Sequence, residues 1–468
     1  MYERFMDRFR ARRRFVDHAS VVWILAVLVN VAGAILFFSW VSSQWGEGLA
    51  RLVLPTLACF GMMLAIMRAV PAVERYWGVK PTSFVRDHPY RVYLWVLVYL
   101  VVGIVIFSIT AVDRFGEDRS FSQALLRYFG GWFGEYYFGG RGDIPHYFNI
   151  AHFGYVDVES NLRLNIVFFP LFPWLLRTGY LVIRNYAVVG MIISIASTLG
   201  SAVMLYSMVN SRAGHGEAAR AVKYLLLFPF AFYLFTPMTE ALFLFLTISV
   251  FYWMKRKDYF LVFIMALGAG LTRSLGVVLV APIIIEAGRM LLHKKDKRSA
   301  IQLAICALAP LLAMGIYLLI NYNVYGNPFQ FITFQRDHWH QRLDFFWNTA
   351  LYLPDITWNY LREGHTGWAM GFALPGVISM ALVLGLIAYG AKKLPPTYTV
   401  YAAGYFIIAF GATWLLSAPR YSLVIFPIAV SMAALTKNKW VDRLVTAMYA
   451  SGLFVYLYFF IDGSWAIW

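Results

Sequence analysis

The chain has 468 residues, of which 60% are hydrophobic, 18% aromatic and only 14% charged, with a mean hydropathy of +0.63. A soluble domain carries about 25% charged residues, so a large water-exposed domain and a disordered chain are both excluded, and an all-α polytopic membrane protein is expected. Basic residues number 40 against 24 acidic ones, a net charge of +16; in a membrane protein that excess is first a question of topology, and no nucleic-acid partner is needed to explain it.

The N-terminus carries Arg8, Arg10, Arg12, Arg13 and Arg14 ahead of a first apolar run too long for a signal peptide, which reads as a retained span. Crossing the hydrocarbon takes about 20 apolar residues. Qualifying runs lie near 20–43, 49–73, 91–112, 187–209, 219–236, 238–254, 259–272, 274–292, 299–321, 368–390, 397–416, 421–436 and 441–461, which makes about thirteen crossings. The basic N-terminus predicts a cytoplasmic start, and the later clusters then fall in alternate loops: Arg75 to Arg91, Arg212/Arg220/Lys223, Lys255/Arg256/Lys257, Lys294 to Arg298, Lys392/Lys393 and Lys437/Lys439/Arg443. The outer side is left near neutral. Cys59 and Cys306 both sit inside apolar runs and support neither a disulfide framework nor a metal cluster.

Residues 164–183 are apolar but contain Pro170 and Pro173 and are rimmed by Arg163, Arg177 and Arg184. Counting them as a span inverts every later loop, so an interfacial or re-entrant helix on the outer side is expected. Two long outer loops follow, about 113–185 and 322–366, each carrying interfacial helices, and long loops are often functional. In the first, Gly139-Gly140-Arg141-Gly142-Asp143 precedes a segment whose Pro145 suits a first helical turn, which puts Asp143 at an N-cap.

Three more ionisable groups mark breaks between apolar runs: Glu240 after Pro237, Arg273 after Thr272 and Arg420 after Pro419. Charge near the bilayer is expensive and usually faces a cavity or a partner. A Glu240–Arg273 structural pair is one reading; a shared outward-facing cavity is the other. The second loop adds Gln335, Arg336, His338, Trp339 and His340. The two histidines are spaced i, i+2, which does not set both on one helical face for a metal, whereas Trp339 among Gln335 and His338 suits a platform for a sugar ring.

Four landmarks resemble the PIG-V-like (GPI mannosyltransferase 2) family of integral-membrane mannosyltransferases. They are Asp143 followed by Phe148 and Ile150-Ala151-His152-Phe153-Gly154-Tyr155; Phe168-Phe169-Pro170-Leu171-Phe172-Pro173; Pro237-Met238-Thr239-Glu240; and Thr272-Arg273-Ser274-Leu275-Gly276. Pro419-Arg420-Tyr421 is a fifth, weaker match. The resemblance runs from about Arg91 to the C-terminus, with Gly142 where the family has Trp before the Asp, and with residues 1–90, two extra helices and a basic N-terminus, ahead of it.

The resemblance implies a GT-C glycosyltransferase fold over 91–468 and an inverting hexosyl transfer from a polyprenyl- or dolichyl-phosphate-linked sugar to a lipid or glycan acceptor on the non-cytoplasmic face. In that reading Asp143 is the general base. Arg273 and Arg420, with Arg336 or Arg141, hold the donor phosphate, for which a guanidinium is well shaped. His146, Glu240, Gln335, His338 and Trp339 position acceptor or sugar. No metal or other cofactor is expected, because a monophosphate donor needs less counter-charge than a diphosphate. The membrane would be a plasma membrane in a prokaryote and the endoplasmic reticulum in a eukaryote. Mannose, arabinose and glucose are all open as the sugar. A lipid-linked sugar transporter or flippase and a non-catalytic subunit of a glycosylation complex are the alternative functions, although the two halves show no inverted repeat of the kind transporters use.

Overall fold

The computed structural model describes residues 142–462 apart from 159, 294, 414 and 416, together with residue 467. The chain parts into two compact units, Met1–Arg91 and Val92–Trp468, and everything below belongs to the second. The first three expected crossings, the basic N-terminus, Cys59 and the first outer loop as far as Arg141 lie outside the described residues.

The described residues form helices and one isolated antiparallel bridge, Leu343 with Ala412. Four helices are long and apolar enough to cross a membrane: Tyr186–Ala213, Ser274–Leu292, Lys297–Tyr325 and Thr366–Ala391. Of the other expected crossings among the described residues, 238–254 and 441–461 are continuous helices, Thr239–Arg256 and Lys439–Asp462, and the rest are short or broken. In chain order the elements are α1 (Ile144–Phe153), α2 (Leu171–Ile183), α3 (Tyr186–Ala213), α4 (His215–Leu226), α5 (Thr239–Arg256), α6 (Tyr259–Thr272), α7 (Ser274–Leu292), α8 (Lys297–Tyr325), α9 (Gln330–His338), α10 (Phe346–Arg362), α11 (Thr366–Ala391), α12 (Pro396–Ala409), α13 (Ala418–Leu423), α14 (Phe426–Leu435) and α15 (Lys439–Asp462). The runs expected at 219–236 and 421–436 are each split, the first into α4 and a 3-10 turn at Ala231–Leu234, the second into α13 and α14.

Helix α5 is the centre. Its residues from Thr239 to Leu244 are all buried, because α3 and α6 pack along it; a helix apolar on every side is stable only when enclosed. The broken segment ahead of α5 is also buried, so its carbonyls need donors. Helix α3 supplies them: Ser194 Oγ donates to Thr236 O at 2.7 Å and Thr198 Oγ1 to Leu234 O at 2.7 Å. Irregular backbone is tolerated at this depth only when satisfied in this way.

Helix α2 is bent away from the segment before it, a geometry shared by a broken span and a re-entrant helix. A 3-10 helix at Asn161–Val167 meets it at a bend of 116°, with Pro170 as its N-cap residue. Phe172 near its start packs edge-on against Tyr147 of α1, and Tyr180 near its end stacks on Tyr186, which in turn stacks on Phe148 of α1. Both ends of α2 therefore stay beside α1. Its exposed face carries Trp174, Leu181 and Val182, an apolar surface suited to lipid.

The basic loops collect at one end of the bundle. Arg212 donates to Lys393 O at 2.6 Å, Lys223 pairs with Asp442 at 2.6 Å, Lys257 with Asp296 at 2.8 Å and Lys437 with Glu217 at 3.4 Å. Lys255 donates to Ser211 Oγ. Each contact joins two loops that the charge pattern assigns to the same side.

Candidate active site

At the opposite end, three helix breaks and the start of α1 converge. Asp143 stands at the N-cap position of α1 and its carbonyl accepts the amide of His146 at 3.1 Å, but its side chain makes no cap. The carboxylate instead pairs with Arg420, 277 residues away in sequence. Arg420 Nε also lies 2.7 Å from Glu240 Oε1, an ion pair by distance whose N–H is not aimed at the oxygen. Glu240 Oε1 accepts in addition from Arg273, and Arg273 donates to Thr239 Oγ1 at 3.1 Å. The result is a chain of alternating charge: Asp143, Arg420, Glu240, Arg273.

Each charge has a local reason for its position. Glu240 lies in the first turn of α5, where the helix dipole favours an anion, and Arg273 directly follows the last turn of α6, where it favours a cation. Arg273 is extended backbone between α6 and the 3-10 turn that opens α7. That tight junction depends on Gly276: a Cβ there would stand 2.6 Å from the Cα of Gly270 and 2.7 Å from the carbonyl carbon of Ala269. Arg420 sits in the short α13, started by Pro419.

Burial grades the cluster. The side chains of Glu240 and Arg420 are 0% and 5% exposed, while Asp143 keeps 26%. Burial raises the Asp143 carboxyl, but the charge and hydrogen bond of Arg420, aided by His146 and Arg273, outweigh it and hold the group below its ordinary value of 3.8. Asp143 is thus an ionised carboxylate at the open end of a sealed charge network. Several buried polar atoms around it have no hydrogen-bond partner among the described residues: Glu240 Oε2, Tyr233 Oη, Tyr405 Oη and Asn165 Nδ2. Native interiors leave few such atoms, and a cluster of them marks a place for a polar ligand.

The two long loops close over this end. His146 Nδ1 is 2.8 Å from Asn165 Oδ1, a bond in which the ring N–H donates to the amide oxygen. The imidazole stacks on Phe168 with ring centroids 4.6 Å apart, and Trp339 lies 6.0 Å from His146 and 6.1 Å from Phe168. The second loop is stitched to the segment leading into Arg420: Arg342 N donates to Thr413 Oγ1 at 3.0 Å, Thr413 N returns to Arg342 O at 3.0 Å, and Asp344 N donates to Gly411 O at 2.6 Å. Gly411 permits that approach, since a Cβ would stand 2.5 Å from Asp344 O.

Of the residues singled out in the sequence, the structure brings Asp143, Glu240, Arg273 and Arg420 into contact and places His146 and Trp339 together beside them. Arg336 is not among them; half-exposed, it forks onto the neighbouring Asp337 at 2.6 and 3.1 Å. His338 is exposed and packs edge-on against Phe334. Gln335 donates to Gln341 Oε1 at 3.0 Å and closes the loop around Trp339. The sequence reading missed Tyr147, whose hydroxyl is 3.3 Å from Thr239 Oγ1. It also missed Tyr233 and Tyr421, whose rings lie under the guanidiniums of Arg420 and Arg273 at 5.6 and 5.3 Å. The i, i+4 spacing of Tyr147 from Asp143 was an available signal. No protein-family model matches the chain, and no curated protein sequence matches it.

Proposed function

We propose that the protein is an inverting membrane glycosyltransferase of the GT-C type that takes a sugar, most simply mannose, from a polyprenyl- or dolichyl-phosphate donor and passes it to a lipid or glycan acceptor on the non-cytoplasmic face. The observation that carries this reading is a partly open carboxylate, Asp143, in contact with a buried arginine of a charge network whose neighbouring polar atoms lack hydrogen-bond partners among the described residues. The acceptor hydroxyl gives its proton to Asp143 as its oxygen bonds to the anomeric carbon. The bond from that carbon to the phosphate oxygen breaks, and the polyprenyl phosphate leaves with the extra negative charge. Positive groups aimed at that developing charge lower the barrier, and Arg420 and Arg273 are the ones at hand.

The network also couples binding to basicity. While Arg420 holds Asp143, the carboxylate is a weak base. A donor phosphate that competes for Arg420 loosens that hold, and burial then raises the carboxyl toward a value better suited to proton transfer.

The test is transfer by the purified full-length protein from radiolabelled polyprenyl-phosphate-mannose to a membrane lipid extract. Asp143→Asn is expected to keep donor binding and to lower the transfer rate about 10²–10⁴-fold. Near-normal transfer by that variant removes Asp143 from the chemistry, and inactive wild-type protein with every sugar donor tried sinks the reading.

A further inference from the structure

A second concave site lies at the basic end, remote from Asp143. It is a cavity of about 330 Å³ between the C-terminal end of α3, the ends of α11 and α14 and the start of α12. Arg212, Lys393 and Lys437 stand on its lining against one carboxylate, Glu217. The three cations are exposed, whereas Val209, Val430 and Ala434 deeper in the wall are buried. Arg212 is held by its bond to the Lys393 carbonyl at 2.6 Å, and Lys437 leans on Glu217 at a loose 3.4 Å. The ammonium of Lys393 has no carboxylate partner among the described residues. The cavity is thus cationic at its rim and apolar at its floor.

The level of the rim is marked by its surroundings. Trp440, three residues beyond Lys437, is 75% exposed with the Arg443 guanidinium 5.0 Å from its ring. Exposed Leu444 and Met448 follow along α15. Tryptophan beside arginine and lysine, followed by exposed apolar residues, is the pattern of a helix entering the headgroup layer.

We infer that this cavity binds a phosphate-bearing anion, the phosphate seated among Arg212, Lys393 and Lys437, with the headgroup of an anionic membrane lipid as its source. Basic pockets between helices at a membrane surface recognise such headgroups. The volume admits a headgroup and a few carbons against the apolar floor, and the surplus of cations over carboxylates disfavours a zwitterion. The inference does not depend on the reading of Asp143.

Full-length protein in detergent is titrated with phosphatidylglycerol, phosphatidylcholine and inorganic phosphate and read by native mass spectrometry. Retention of phosphatidylglycerol at least about tenfold better than phosphatidylcholine is expected. Each neutralised cation should weaken it on the order of fivefold, so that Arg212→Gln, Lys393→Gln and Lys437→Gln together nearly abolish it. Arg298→Gln, at the same end but outside the cavity, should change nothing. Displacement of the lipid by millimolar inorganic phosphate supports the anion site and assigns it to a soluble phosphate ester; indifference to phosphate supports the lipid. Equal retention of both lipids without phosphate binding overturns the site, as does undiminished binding by the triple variant. Lys393→Gln alone, a change at an exposed side chain, decides the matter if the triple variant does not fold.

Discussion

The two ends of the bundle hold their charges in opposite ways. At one end Asp143, Arg420, Glu240 and Arg273 form a balanced, mostly buried chain in which each interior member touches two partners of opposite sign. At the other, basic residues predominate, and their pairs, such as Lys257–Asp296 and Lys437–Glu217, include side chains 50% and 69% exposed. Water screens the second set and helps little with the first. Among the described residues, fully buried charge lies where helices are interrupted, and the interruptions are what let those side chains meet. A structural core has no need of such an arrangement, because apolar residues of similar volume would serve stability as well or better.

The sharpest break of the comparison is Glu240→Ala. It leaves Arg273 and Arg420 facing each other without the anion between them. Removing one partner of a buried pair typically costs about 3–5 kcal/mol, and a large fall in melting temperature is expected. A melting temperature within a degree or two of wild type would mean that the network is wetter than its burial indicates.

Arg420→Gln separates electrostatics from packing. With its main cationic neighbour gone, burial dominates at Asp143 and its carboxyl rises from its lowered position. A base must be deprotonated to act, so activity is lost as pH falls through its pKa. The acid limb of kcat/KM should therefore lie below pH 3.8 in the wild type and move to higher pH in the variant, whatever happens to the maximal rate. An unmoved limb would show that Arg420 does not set the charge state of Asp143. A smaller effect is expected from Gly276→Ala, which forces the α6–α7 junction apart and should cost about 1–3 kcal/mol. Because Arg273 sits in that junction, transfer should fall by more than the melting temperature implies, and equal losses would argue against a positioning role.

Much of this was legible in the sequence because charge is conspicuous in an apolar chain. Glu240, Arg273 and Arg420 stand out as interruptions of hydrophobic runs, and the alternation of basic loops predicts which ends share a side. The prolines around Phe168–Pro173 likewise announce an interruption, and the chain bends there by 116°. Partnership was less legible. Asp143 reads as a helix cap because a cap is a local event, whereas its partner is 277 residues away and reached only by folding. Arg336 reads as a free cation, yet it is spent on Asp337, its neighbour in the chain. The split of 219–236 and 421–436 escaped for a different reason: hydropathy reports burial, and a short buried helix with a turn is as apolar as a long one that crosses.

The smallest effect is expected at the exposed end. Asp296 accepts from Lys257 at 2.8 Å and also caps α8 through the amide of Ser299 at 3.2 Å. The Lys257 hydrogen bond, then those of Ser299, lower its carboxyl from 3.8 to about 2. A depressed carboxylate contributes its stability above the unfolded value and loses it only as pH falls through the folded one, so this clip is intact throughout the physiological range. Both groups are solvated, and exposed pairs are weak. Lys257→Ala should therefore leave melting temperature and transfer unchanged while Asp296 keeps its cap on α8. Asp296→Ala removes cap and pair together, and hydrogen exchange at the first turn of α8 should quicken there without reaching α6 or the Asp143 cluster. Loss of transfer in either variant would mean that the two ends are mechanically coupled and that the division between them is drawn in the wrong place.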